Sequence, residues 1–153
     1  MGARDDTVDQ DERVAMMLYL DASVVLRIVL GEPSSLGDRT RFVGAVASAL
    51  TEVESLRTLD RLAHQGSLLP DELANRRAHL YRLLEEVTVV DVTRTVLRRA
   101  AEPFPTPLGT LDAIHLATAL AWRDARGEAL TMATHDKALG TAARAVGLEV
   151  VGV

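Results

Sequence analysis

Leu18, Tyr19 and Leu20 form a short apolar run that stops at Asp21, and beyond it the apolar spacing changes to that of a helix, with Val24, Val25, Ile28 and Leu30. A run of this kind predicts a strand buried on both faces of a covered sheet, and the spacing after it predicts a helix over residues 22–30. A Gly/Pro/Ser loop follows from Gly31 to Gly37. Phe42 to Ala47 reads as a second strand, with Ser48 positioned to cap a helix over Ala49 to His64. After a turn at Gln65 to Leu69, Pro70 opens a helix whose Leu73, Leu80, Leu84 and Val87 share one stripe. Val87 to Val92 is rich in β-branched residues and predicts a third strand, and Thr93 to Ala101 a short helix. A loop from Glu102 to Gly109 holds three of the five prolines. It precedes a helix over Leu111 to Ala125, a fourth strand over Ala129 to Thr134, a helix over Asp136 to Val146 and a last strand over Leu148 to Val153. Strands alternating with helices predict an α/β fold of three α/β/α layers around a central parallel sheet of four to five strands.

Composition narrows the setting. The 153 residues suffice for one domain with a real core, expected over residues 17–153. Residues 1–16 carry Asp5, Asp6, Asp9, Asp11 and Glu12 against Arg4 and Arg13, with little apolar content, and read as a disordered acidic extension. That segment accounts for −3 of the net charge of −5, so overall charge neither excludes nor suggests a polyanionic substrate. The absence of cysteine excludes disulfides and thiolate metal sites. No apolar run approaches the roughly 20 residues a membrane helix requires. An acidic N-terminus is also unlike a signal peptide, and the expectation is a soluble, cytoplasmic protein with no membrane association.

Chemistry enters with the acids. Asp21 stands just past the carboxyl end of the first strand, the edge where open parallel sheets bind ligands, although an Asp there also serves as an ordinary helix cap. Asp136, in ATHDKAL, repeats that strand, carboxylate, helix arrangement. Asp112 opens the helix after the proline loop. It shares a face with His115 and Thr118, which reads equally as the solvent side, since Arg123 and Arg126 lie there too; Thr110 is available as its cap. One turn into the helix after the second strand, Glu52 and Glu54 compete. Glu52 falls inside the stripe of Val53, Leu56, Leu59 and Ala63, and Glu54 at its edge, where it also completes a Thr51 to Glu54 capping box and could pair with Arg57. Periodicity does not choose between them. Several carboxylates gathered at one sheet edge repel, and a divalent cation is the usual remedy. An oxygen-only donor set suits Mg²⁺ or Mn²⁺ above Zn²⁺, and such an ion activates water for attack on a phosphodiester.

The segments YLDASVVLRIVLGEP, SALTEVESLR, LDAIHLATAL and THDKALGTAARAVGLEV, in that order and spacing, resemble the motifs of PIN-domain proteins and specifically of VapC-type toxins. The resemblance implies a PIN-like domain over 17–153. Its activity would be that of a Mg²⁺- or Mn²⁺-dependent endoribonuclease, the toxin of a type II toxin-antitoxin pair. Such toxins usually form homodimers and are held inactive by a cognate antitoxin. Carried over by position, the resemblance makes Asp21, Glu54, Asp112 and Asp136 the catalytic and metal-binding acids, and so selects Glu54 over Glu52. Asp21 and Asp112 would be the most direct ligands. Ser23 and Thr134 match positions whose hydroxyls order such a site, and read equally as helix caps. His115, three residues from Asp112, could serve as a ligand, but a His on a polar helix face is more often a bystander. Two features depart from the pattern: the acidic extension, and a segment from Gly31 to Phe42 that is short for the helix such toxins carry there. A non-catalytic PIN-like module that binds RNA or protein is the alternative reading. A phosphoacceptor aspartate is disfavoured, because Ser23 stands where a second Asp would be needed and Lys137 directly follows Asp136.

Overall fold

The structure is a computed structural model that describes residues 16–33, 36 and 42–153. The expectations for the acidic extension and for most of the 31–42 segment therefore fall outside the described residues. Among them are five strands, β1 (Leu18–Leu20), β2 (Val46–Ser48), β3 (Thr88–Val90), β4 (Thr131–Ala133) and β5 (Glu149–Val151). Six helices accompany these strands: α1 (Ala22–Leu30), α2 (Leu50–His64), α3 (Pro70–Glu85), α4 (Arg94–Ala100), α5 (Thr110–Arg126) and α6 (Lys137–Ala145).

The strands form one sheet of order β3-β2-β1-β4-β5, with every neighbouring pair parallel. Register is set by Tyr19 opposite both Val46 and Met132, which makes β1 the central strand. All three of its residues are buried, as a strand covered on both faces requires. One apolar cluster lies on the side of Leu18 and Leu20, with Val24, Val25, Val29, Leu59 and Leu80. The other lies on the side of Tyr19, with Leu116, Leu120, Trp122, Met132 and Leu139. The alternation along a three-residue strand thus assigns its side chains to two different cores. Among the described residues no helix is long and apolar enough to cross a membrane.

One strand boundary and one buried helix face depart from the sequence pattern. The second strand begins at Val46 rather than Phe42, because Gly44 turns the chain at a φ of 76° and Ala45 N–H closes a turn on the Phe42 carbonyl. Phe42 instead seats its ring in the first core. On α2 the buried stripe is Thr51, Ser55 and Leu59, while Val53 is 57% exposed and Glu52 faces solvent.

The C-terminal strand closes against the sheet edge that matters below. Thr134 N–H donates to the Val151 carbonyl at 3.1 Å, and the next turn brings Gly152 against the backbone of Thr134. Gly152 has a φ of 101°, and a β-carbon there would sit 2.3 Å from the Thr134 carbonyl oxygen. Gly152→Ala is therefore expected to destabilise the fold by about 2 kcal/mol through strain and overlap together. Thermal unfolding should record a drop of roughly 4–8 °C. An unchanged transition would mean that the C-terminal turn moves aside at no cost.

Candidate active site

Sheet order fixes where a site can form. The chain leaves β1 to one side for β2 and returns on the other for β4, so the carboxyl ends of β1 and β4 flank a topological switch point. Asp21 ends β1, with its backbone N–H bonded to the Ala133 carbonyl of β4 at 3.0 Å. Thr134 and Asp136 leave β4 beside it.

Asp21 is only 4% exposed, and a buried carboxylate must be compensated by donors. Its Oδ1 accepts from Ala22 N–H at 2.8 Å, and its Oδ2 accepts from the hydroxyls of Ser23 at 2.7 Å and Thr134 at 2.9 Å. Those hydroxyls are themselves fixed, because Ser23 Oγ accepts from His135 N–H and Thr134 Oγ1 from Asp136 N–H. Capping and site-building thus coincide at Asp21. Asp136 likewise caps α6, its Oδ1 accepting from Leu139 N–H at 2.9 Å.

Glu54 and Glu52 part company here. Glu52 is exposed, whereas Glu54 is partly buried and accepts through Oε1 from His115 Nε2 at 2.5 Å. The same imidazole nitrogen lies 3.7 Å from Asp21 Oδ1. Glu54 therefore makes neither the capping box nor the surface pair that local spacing allowed. Thr51 sits inside α2 with its buried hydroxyl unpartnered among the described residues, and Arg57 pairs with Asp60 at 3.0 Å.

The polar stripe of α5 is not a solvent face. His115 and Thr118 are fully buried, and only Asp112, in the first turn, is partly open. Gly109, not Thr110, occupies the cap, without a side-chain bond. His115 Nδ1 lies 2.9 Å from the Tyr19 hydroxyl, so its ring links β1 to α2 and does not face solvent. The signal in the sequence was the apolar character of α5 all round: on such a helix a polar stripe faces other protein groups, not water. Burial, then the charge of Asp21, raises the Tyr19 hydroxyl well above its usual pKa, with the Thr118 and Ser48 hydroxyls acting in the opposite sense. It remains a neutral O–H.

Electrostatics gathers the four acids. The Asp112 carboxyl is pushed up to about 6, first by burial and then by the negative charges of Asp136 and Asp21, with Glu54 adding and His115 opposing. Burial alone would lower the His115 pKa, but its hydrogen bond to Glu54 and the charges of Asp21, Glu54 and Asp112 raise it above the ordinary value. Among the described residues no three His, Asp or Glu side chains converge as a ready metal cage. The donor chemistry of these acids is carboxylate oxygen, which suits a hard cation such as Mg²⁺ that retains several waters and takes one or two protein carboxylates. A cavity of about 310 Å³, lined by Phe42, Val43, His79, Arg82, Glu86 and Val87 among others, contains none of these four acids. It adjoins the residues that precede β2 and β3, at the opposite edge of the sheet.

Residues 18–144 match the model of the PIN domain. The chain belongs to the PIN-domain family. Over 138 residues it is 32% identical to Ribonuclease VapC46 of Mycobacterium tuberculosis (strain ATCC 25618 / H37Rv), spanning 88% of this chain and 95% of that one. It is 29% identical over 138 residues to Ribonuclease VapC47 of the CDC 1551 / Oshkosh strain, spanning 86% and 93% respectively. These relatives mark it as a PIN protein of the VapC type. In fold it resembles PAE2754 from Pyrobaculum aerophilum, with a TM-score of 0.59 at 22% identity over 89% of this chain and 91% of that one. It also resembles FitAcB from Neisseria gonorrhoeae, with a TM-score of 0.60 at 18% identity over 88% and 96%.

The raised pKa of Asp112 has a consequence for stability. Because its folded value exceeds its unfolded one, the folded state retains a proton that the unfolded chain loses between about pH 4 and 6, so stability falls as pH rises through that window. Asp112→Asn should therefore raise the melting temperature of the metal-free protein at pH 7 and leave it unchanged at pH 4. With the screening of a half-buried carboxyl allowed for, the gain is about 1 kcal/mol, or roughly 2–4 °C. Scans in EDTA at the two pH values check this, and a lower melting temperature at pH 7 would contradict it.

Proposed function

We propose that this chain is a metal-dependent endoribonuclease, hydrolysing RNA phosphodiester bonds as the toxin of a type II toxin-antitoxin pair. One observation carries the reading: at the switch point of a PIN-domain sheet the Asp112 carboxyl is held above its ordinary pKa, first by burial and then by the charges of Asp136, Asp21 and Glu54, beside an Asp21 that three donors fix in place. The kinship with VapC46 and VapC47, both named ribonucleases, supports the substrate class.

Asp21 and Asp112 are the residues proposed to hold a Mg²⁺ or Mn²⁺ ion, with Asp136 and Glu54 completing the site through water or a second ion. A divalent cation bound there supplies Lewis acidity toward the phosphate and lowers the pKa of a water. The chain's own groups set the geometry. Ser23 and Thr134 hold the Asp21 carboxyl oxygens, and Thr134 in turn accepts from the Asp136 N–H, tying the start of α6 to the same hydroxyl. The proposed partners are an RNA substrate, a cognate antitoxin covering the acidic edge, and a second copy of the chain.

Cleavage of a fluorogenic RNA panel by the purified chain, freed of bound protein, tests the reading. Activity is expected with Mg²⁺ or Mn²⁺ and not with EDTA. Asp21→Asn and Asp112→Asn should each reduce it at least 100-fold while circular dichroism stays native, a loss of about 3 kcal/mol or more in transition-state stabilisation. Cleavage at parental rates by these variants would overturn the site. Mn²⁺ binding without any cleavage, on an RNA panel broad enough to include structured RNAs, would favour the binding-module alternative.

A further inference from the structure

The site has a residue that it does not need for ligation and yet buries completely. His115 is 0% exposed, and both of its ring nitrogens are engaged: Nε2 with Glu54 Oε1 and Nδ1 with the Tyr19 hydroxyl. An ionised carboxylate only accepts, so Nε2 carries a hydrogen in either charge state of the ring, and Nδ1 faces a hydroxyl able to donate or accept. The imidazole consequently offers no free lone pair to a cation in this arrangement. Tyr19 is itself immobile, fully buried at the centre of β1, with its ring set edge-on to His115 at a 6.0 Å centroid separation and an interplanar angle of 77°. Glu54, by contrast, is only partly buried on α2, and among the described residues this is the one side-chain hydrogen bond to its carboxylate.

We infer that His115 is a positioning residue, which together with Tyr19 forms a buried arm reaching from the central strand to aim the Glu54 carboxylate at the acidic cluster. This rests on the proposed ribonuclease reading. The physical reason is entropic: a partly exposed glutamate with three rotatable bonds otherwise samples many rotamers, and fixing it before the ion arrives removes that loss from binding. Partners behind a ligand commonly set its orientation in this way, and losing one typically weakens metal affinity 10–100-fold.

The test uses the full-length chain and Mn²⁺ as the probe. Calorimetry should give a dissociation constant about 10-fold weaker or more for His115→Ala. His115→Gln should recover part of this, because the glutamine amide N–H reaches toward the position of Nε2. Tyr19→Phe keeps the ring and removes only the hydroxyl, and should cost about three- to tenfold, the worth of one hydrogen bond. On a cleavable RNA, kcat at fixed Mn²⁺ should fall with KM little changed. In a Glu54→Ala background, His115→Gln should have no further effect on Mn²⁺ affinity, since the arm then holds nothing. A purely structural histidine would lower the melting temperature and leave Mn²⁺ affinity unchanged in every folded variant. Folded His115→Gln and Tyr19→Phe proteins that bind Mn²⁺ within twofold of the parent would overturn the inference, as would additive losses with Glu54→Ala. Retention of cleavage by Asp21→Asn and Asp112→Asn, or a parent that binds no Mn²⁺, would instead defeat the ribonuclease site itself, and this inference with it.

Discussion

A carboxylate removed from water at the end of the central strand is the constraint on which the structure turns. Asp21 is tolerated in a nearly closed position because three donors, one backbone N–H and two hydroxyls, meet its two oxygens. These donors come from both sides of the switch point: Ala22 and Ser23 from the start of α1, and Thr134 from the end of β4. Burying Asp21 thus requires that β1 and β4 be neighbours in register. The β5 turn at Gly152 in turn backs the residue that supplies the last hydroxyl. The hydrogen bonds that satisfy the buried carboxyl oxygens are the ones that make the group rigid.

Rigidity comes with repulsion. The carboxyl of Asp112 is pushed up to about 6 because burial and its acidic neighbours disfavour its charge. A structure serving stability alone would neutralise that group or face it to water. Strongly perturbed acids gather where chemistry needs them, and in the proposed function this carboxyl is one that would meet a cation. His115 relieves part of the repulsion from within by standing between Glu54 and Asp21, and because it is wedged against Tyr19 its place is set by the sheet and not by the acids.

Much of this was legible along the chain. Every strand and helix of the described residues falls within a segment whose hydrophobic period predicts it, or within one residue of its edge, except the second strand, where Gly44 and the turn from Phe42 shorten it. Local rules failed at Glu54 and His115. The Thr51 to Glu54 spacing matches a capping box, and Asp112, His115 and Thr118 have the spacing of a solvent face. Both readings are correct statements about an isolated helix. They fail because α2 and α5 are packed so that these side chains meet each other before they meet water.

The sequence alone therefore determined the alternation of elements, the parallel sheet and the positions of Asp21 and Asp136. Those properties follow from period and from the junction of strand and helix, which are local along the chain. Tertiary structure decided that Glu54 is partly buried against His115 while Glu52 is exposed, that His115 is buried, and that Ser23 and Thr134 converge on one carboxylate oxygen. Residues 54 and 115 are joined by a hydrogen bond across 61 positions of sequence, and Thr134 and Asp21 by one across 113. No local pattern encodes contacts of that separation, because they arise only when the strands take their order in the sheet.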